Sequence, residues 1–249
     1  SEQVRVERLE DKGGTAPGGV ASLVDRMPGG EGSRIRVEIY TMPNGEREVL
    51  VYTTGTQQWG LPGSDPFDVQ SNLETYGGQE SGSYLALEQA LEDAGVTKDD
   101  GIHLIGHSQG AMVNARFAAQ TDYRVETAVS MGNGLAVELP GHVLSVTLRH
   151  TDDIVPALTD GGFGHTTGAT GSIVVERNAG LDDNVIGSHM LDEYRETAVE
   201  LDASRDPRMG PVRDVFSGLA GAAAVQTITY SAQRVEPKGG GRSAGGGGV

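Results

Sequence analysis

The chain has 249 residues, enough for one large α/β domain, and carries 19 Lys and Arg against 35 Asp and Glu, a formal charge of −16. A surface that negative repels phosphate backbones and anionic headgroups, so neither nucleic-acid binding nor polybasic membrane docking suits it. No apolar run approaches a membrane span, and the absence of Cys excludes a thiol nucleophile, disulfides, thiolate zinc and iron–sulfur clusters. At 37% hydrophobic, with 38 Gly and few aromatics, the composition predicts an acidic, soluble, turn-rich globular protein.

The chain opens Ser1-Glu2-Gln3, without an initiator Met or a basic-then-apolar leader, as a mature form or a piece of a longer protein would. Residues 1–33 are polar and Gly-rich and predict an N-terminal extension or linker that connects or wraps, with one short helix near Val20–Arg26. Arg34–Thr41 alternates apolar and polar residues. Pro43-Asn44-Gly45 follows, then Glu46–Thr53 with an apolar centre, which together predict a hairpin turning at Asn-Gly. Glu80–Ala94 sets Tyr84, Leu87 and Leu91 on one helical face and stops at Gly95. Ile102–Ile105 is a short buried strand, Gln109–Gln120 a helix, and Arg124–Met131, His142–Arg149 and Ser172–Arg177 further strands. Met190–Ala203 and Asp206–Leu219 read as helices and Val225–Tyr230 as a last strand. Such alternation predicts an α/β fold over residues 34–236, a mostly parallel sheet covered by helices on both faces. Residues 237–249, with seven Gly and little to bury, predict a disordered tail.

Gly106-His107-Ser108-Gln109-Gly110 is a G-x-S-x-G pentapeptide. The pattern alone arises by chance in a Gly-rich chain, but here it closes a buried strand and opens a helix, the setting of a nucleophile elbow. The sharp turn presses neighbouring chain segments together, so Gly106 and Gly110 are predicted to be there for lack of a side chain. A Ser hydroxyl needs a base, and the base needs an orienting carboxylate. After the strand ending at Arg149 comes His150-Thr151-Asp152-Asp153-Ile154-Val155-Pro156, whose Asp153, ahead of Asp152, is the expected acid. Of the downstream histidines, His189 follows the next strand and is the expected base, whereas His165 precedes that strand. His103 reads as a satisfied strand histidine and His107 as a packing residue behind the elbow. His142 and His150 carry no evident role. The oxyanion needs two backbone donors: the N–H of Gln109 and one from Thr54-Gly55-Thr56-Gln57, with Thr56 preferred over Gln57.

The set GHSQG, DIVPAL and SHMLDEY resembles the serine α/β-hydrolases, in particular lipase class 3 and cutinase-like esterases. The resemblance implies an α/β-hydrolase fold and a triad acid at Asp153, because fungal-type lipases place an acid before Ile-Val-Pro or Pro-Val-Pro. It also implies an oxyanion loop at Gly55-Thr56 with Trp59 nearby. It covers about Val49 to Tyr194. The chain departs from cutinases in having no Cys, and from lidded lipases in that Gly60–Gly78 is polar and Pro/Gly-rich. The acidic, Gly-rich style also resembles hydrolase domains of larger secreted actinobacterial proteins, and a secreted location is implied by that resemblance alone.

The expectation is therefore a carboxylic-ester hydrolase acting through an acyl-enzyme on Ser108, with Asp153 and His189, on a small-molecule or lipid ester. It calls for no cofactor and no metal. A thioesterase or acyltransferase would share the acyl-enzyme and differ in the acceptor. A non-catalytic interaction module on a hydrolase scaffold would not need Ser, acid and His in this order. A metalloenzyme using His150, Asp152, Asp153 and His165 lacks an H-E-x-x-H or other defensible ligand spacing, and no Gly-Lys pair offers a P-loop.

Overall fold

The computed structural model describes residues 3–30, 32–54, 82–132, 139–151, 172–180 and 191–235. The chain runs β1 (Val4–Gly13), α1 (Val20–Asp25), β2 (Ile35–Thr41), β3 (Arg47–Thr53), α2 (Gly82–Asp93), β4 (Gly101–His107), α3 (Gln109–Gln120) and β5 (Arg124–Met131). It continues with β6 (Leu144–His150), β7 (Ile173–Arg177), α4 (Leu191–Asp202), a 3₁₀ turn (Pro207–Met209), α5 (Gly210–Ala220) and β8 (Ala224–Arg234). The strands form one sheet in the order β1-β8-β2-β3-β4-β5-β6-β7. From β3 to β7 neighbouring strands are parallel, and β2, β8 and β1 complete an antiparallel flank.

The β2–β3 hairpin forms as its sequence predicts. Thr41 faces Arg47, Gly45 takes φ 87°, and the Asn44 side chain accepts the Glu46 N–H at 3.0 Å. Helix α2 ends in a Schellman motif: Gly95 at φ 74° donates to Glu92 O, and Val96 donates to Leu91 O. Every residue of β4 is buried, because helices cover both faces of the sheet. Val49, Val51, Ile102 and Leu104 pack with α2 and α3, while Leu50, Tyr52, Ile105 and Val129 pack with α1, α4 and α5. Each such side chain, fully buried, contributes about 1.5–3 kcal/mol, so the strand that ends at the pentapeptide is among the most firmly held. No helix among the described residues is long and apolar enough to cross a membrane.

The stretch expected to connect or wrap does more. Val4–Gly13 is a strand of the main sheet, paired with β8 from Val4↔Arg234 to Gly13↔Gln226. The short helix expected near residue 20 is α1, and the Asp202 carboxylate at the end of α4 accepts the N–H groups of Val20 and Ala21 at 2.8 and 2.9 Å. The helix expected over Asp206–Leu219 is divided into the 3₁₀ turn and α5, with Asp206 accepting the Arg208 N–H at 2.9 Å. The expected tail, residues 237–249, lies outside the described residues.

A part-buried ion pair joins the start of β3 to the turn before β4. Arg47 grips Asp100 with Nε at 3.0 Å and Nη2 at 2.5 Å, and Asp100 also accepts the Thr97 N–H at 2.8 Å. Burial alone would raise the Asp100 carboxyl, but the bonds from Arg47 and Thr97 outweigh it and hold it below its ordinary value. A folded-state pKa that is depressed gives stability present above the unfolded value of about 3.9 and lost as pH falls through the folded one. Asp100→Asn should therefore cost about 1–2 kcal/mol at pH 7, because Arg47 is part-exposed, and less than that in acid. Thermal unfolding from pH 7 down to about pH 2 checks this, and a cost that is the same at both ends would contradict it.

Candidate active site

Ser108 joins β4 to α3 with φ 55° and ψ −123° and is the only non-glycine of positive φ among the described residues. A side chain held in that region costs on the order of 1–3 kcal/mol and persists only when its surroundings enforce it. They do so here. The Ser108 N–H donates to Met131 O at 2.9 Å, tying the turn to the end of β5, and Ser108 O accepts from Ala111 N at 3.0 Å, opening α3.

Neither Gly106 nor Gly110 has room for a side chain. A Cβ on Gly106 would lie 2.6 Å from Ala111 N and 2.7 Å from Gly110 C, closer than real Cβ atoms come to backbone. A Cβ on Gly110 would strike the carbonyl oxygen of Thr53 and lie 2.6 Å from its carbon and 2.7 Å from Thr54 O. The first turn of α3 thus rests on the end of β3. The Thr53 hydroxyl bonds Asn114 Oδ1 at 2.9 Å across the same contact. Gln109, the expected oxyanion donor, is buried as the first residue of α3, at the positive end of the helix dipole. Thr56, the other expected donor, lies outside the described residues, three positions after Thr53, the last residue of β3.

Asp152, Asp153, His165 and His189 also lie outside the described residues. The elements that flank them do not. His150, the last residue of β6, is fully buried and stacks on Tyr194 of α4 with ring centroids 3.9 Å apart and planes 5° apart. Its Nε2 lies 2.7 Å from the Thr197 hydroxyl. His107 meets the same tyrosine edge-on at 5.8 Å, which agrees with a packing role beside the elbow. Tyr194 therefore seats the first turn of α4 on the ends of β4 and β6. Nothing in the order of residues marks this stack, because it joins positions 107, 150 and 194 only through space, and His150 had no evident role.

His103 is a satisfied strand histidine, as expected. Its Nδ1 lies 2.8 Å from Thr127 Oγ1 and its Nε2 2.8 Å from Glu48 Oε2. The hydrogen bond with His103 holds the Glu48 carboxyl below its ordinary value, whereas burial and then the Glu48 charge push that of Glu126 up.

Ser108 stands at the C-terminal edge of the parallel strands, where open α/β sheets place their ligands. Comparison with known families and with curated proteins gives no match to this chain. The class of protein defined by fold and site is thus an α/β protein with a mostly parallel sheet and a strained serine between a buried strand and a helix N-terminus.

Proposed function

We propose that the chain is a serine hydrolase of the α/β-hydrolase fold that cleaves carboxylic esters. The observation that carries this reading is the backbone of Ser108. A serine held at φ 55° between two glycines that cannot accept a Cβ is costly as a plain turn and useful as a nucleophile mount. In the proposed reaction His189 takes the proton of the Ser108 hydroxyl as Oγ attacks the acyl carbon, and Asp153 orients the imidazole and offsets its charge. The N–H groups of Gln109 and Thr56 receive the oxyanion. Collapse of the intermediate breaks the C–O bond, and His189 returns the proton to the departing alcohol. Water, activated by the same base, then releases the acid. Supply of another acceptor in place of water would make the same acyl-enzyme an acyltransferase.

Short and medium acyl chains, about C4 to C8, suit this reading. A long chain gains about 0.8 kcal/mol for each CH₂ it buries, and only a deep apolar groove rewards it. The stretch 57–78, outside the described residues, offers few apolar side chains: Trp59, Leu61, Phe67, Val69 and Leu73. The charge of −16 also disfavours capture at anionic interfaces. The experiment is kcat/KM for p-nitrophenyl esters of increasing acyl length, above and below the micelle threshold, with Ser108→Ala as the blank. The expected result is a C4–C8 optimum without a rate jump at the threshold. A preference for C16, or strong interfacial activation, would make the protein a true lipase, and turnover equal to the blank would remove the esterase reading.

A further inference from the structure

We propose that Glu48, His103 and Glu126 form a divalent-cation site, best suited to Zn²⁺, at the end of the sheet opposite Ser108. The three residues lie on the adjacent strands β3, β4 and β5, and one ligand atom from each comes within 4.8 Å of the others. His103 Nε2 stands 2.8 Å from Glu48 Oε2 and 3.6 Å from Glu126 Oε2. Zinc bonds of about 2.0–2.2 Å put tetrahedral ligand atoms about 3.4 Å apart, and both distances from His103 Nε2 lie within about 0.6 Å of that spacing.

Two further features of the chain gather these groups. The β4–β5 register passes from Ile102↔Val125 to His103↔Thr127, which leaves Glu126 as an extra, bulged residue. A bulge re-aims a side chain that plain alternation would send elsewhere. The second feature is Gly101. A Cβ there would lie 2.9 Å from Glu48 Cδ and 3.0 Å from Glu126 Cδ, so the two carboxylates approach from either side over bare backbone. Without a bulge and a glycine at these positions they would not meet. Two carboxylates drawn together repel unless a cation or a proton lies between them.

The chemistry of the set selects the ion. The Thr127 hydroxyl, 2.8 Å from His103 Nδ1, serves either tautomer by rotating; when it accepts from Nδ1–H, the Nε2 lone pair faces the carboxylates. The cation then takes the place of the Nε2 proton. Arg124 Nε holds Oε1 of Glu126 at 3.2 Å and leaves Oε2 toward His103. One nitrogen and two oxygens suit zinc, whereas calcium prefers six or more oxygens. His103 is buried and the two glutamates are part-exposed, so water completes the shell from outside. The ion would pin three strands together. Ser108 follows the end of β4 five residues after His103, about 16 Å at the rise of a strand, so the site stands apart from the esterase reading.

The test titrates the EDTA-stripped full chain with ZnCl₂ by calorimetry and thermal unfolding, with His103→Gln and Glu126→Gln beside wild type. Expected are one equivalent of zinc bound by wild type, a Tm rise of about 5–10 °C at roughly 100-fold above Kd, and at least about tenfold weaker binding in both variants. Ester turnover of the stripped protein should stay within about twofold, which separates this inference from the catalytic one. Failure to bind zinc up to about 1 mM, or binding that both variants leave undiminished, would overturn it. If His103→Gln does not fold, Glu126→Gln, changed at a part-exposed carboxylate, decides alone.

Discussion

His189→Ala should lower kcat on a short p-nitrophenyl ester by about 10⁴- to 10⁶-fold, as severely as Ser108→Ala, and the double variant should be little worse than either. Nucleophile and base act as one unit under the proposed mechanism, so the second loss finds nothing left to remove. His189 stands two positions before Leu191, the first residue of α4. Tyr194 in that first turn stacks on His150 at the end of β6 and touches His107 beside the elbow. The described part of α4 therefore starts at the same edge of the sheet as Ser108. Asp153→Asn should be milder yet severe, about 10⁴-fold, because it keeps the shape and spoils the imidazole tautomer. Asp152→Asn and His165→Ala should leave most turnover. Single-turnover and steady-state assays of the five single variants and the double variant check the ranking. Sensitivity at His165 in place of His189 would reassign the base, and sensitivity at Asp152 would move the acid by one position.

Gly110→Ala should unfold the turn between β4 and α3. Its methyl group would occupy the space of the Thr53 carbonyl, a backbone group of a buried strand that has no rotamer in which to step aside. Overpacking in a core costs about 1–3 kcal/mol when side chains can move, and the cost here should exceed about 4 kcal/mol because neither backbone can. For a chain of this size that corresponds to a Tm lower by about 10 °C or more, with activity lost in parallel. Gly218→Ala is the control. Nothing lies within 4 Å of its added Cβ, and it sits inside α5, so it should be neutral or stabilise by up to about 1 kcal/mol. Differential scanning calorimetry of the two variants decides. A Gly110→Ala protein as stable as wild type would mean that the approach of α3 to β3 is not as close as described.

Much of this arrangement is legible in the residues because local and global preferences agree. Helix α3 and strand β5 fall on the predicted bounds, Gln109–Gln120 and Arg124–Met131, since each pairs a clear periodicity with a sharp boundary. The turn at Ser108 is legible for the same reason: strand, two glycines and helix follow in order. Strand β1 was not. Only Val4 among its ten residues is buried, so its position comes from backbone pairing with β8 and leaves no apolar alternation to read. β8 likewise extends to Arg234, beyond the expected Tyr230, along the length of β1. The Tyr194 stack and the Glu48–His103–Glu126 cluster were hidden for a different reason. Each joins residues of three separate elements, and neither a stacking partner nor a bulge register is written in local spacing.

The most direct measurement is peptide mass spectrometry after treatment of the native protein with a fluorophosphonate, beside a heat-unfolded sample. The proposed mechanism predicts one stoichiometric adduct, located on Ser108, with loss of ester turnover in proportion to labelling and no adduct after unfolding. An unlabelled native Ser108, or labelling spread over other hydroxyls at the rate seen in the unfolded chain, would contradict it.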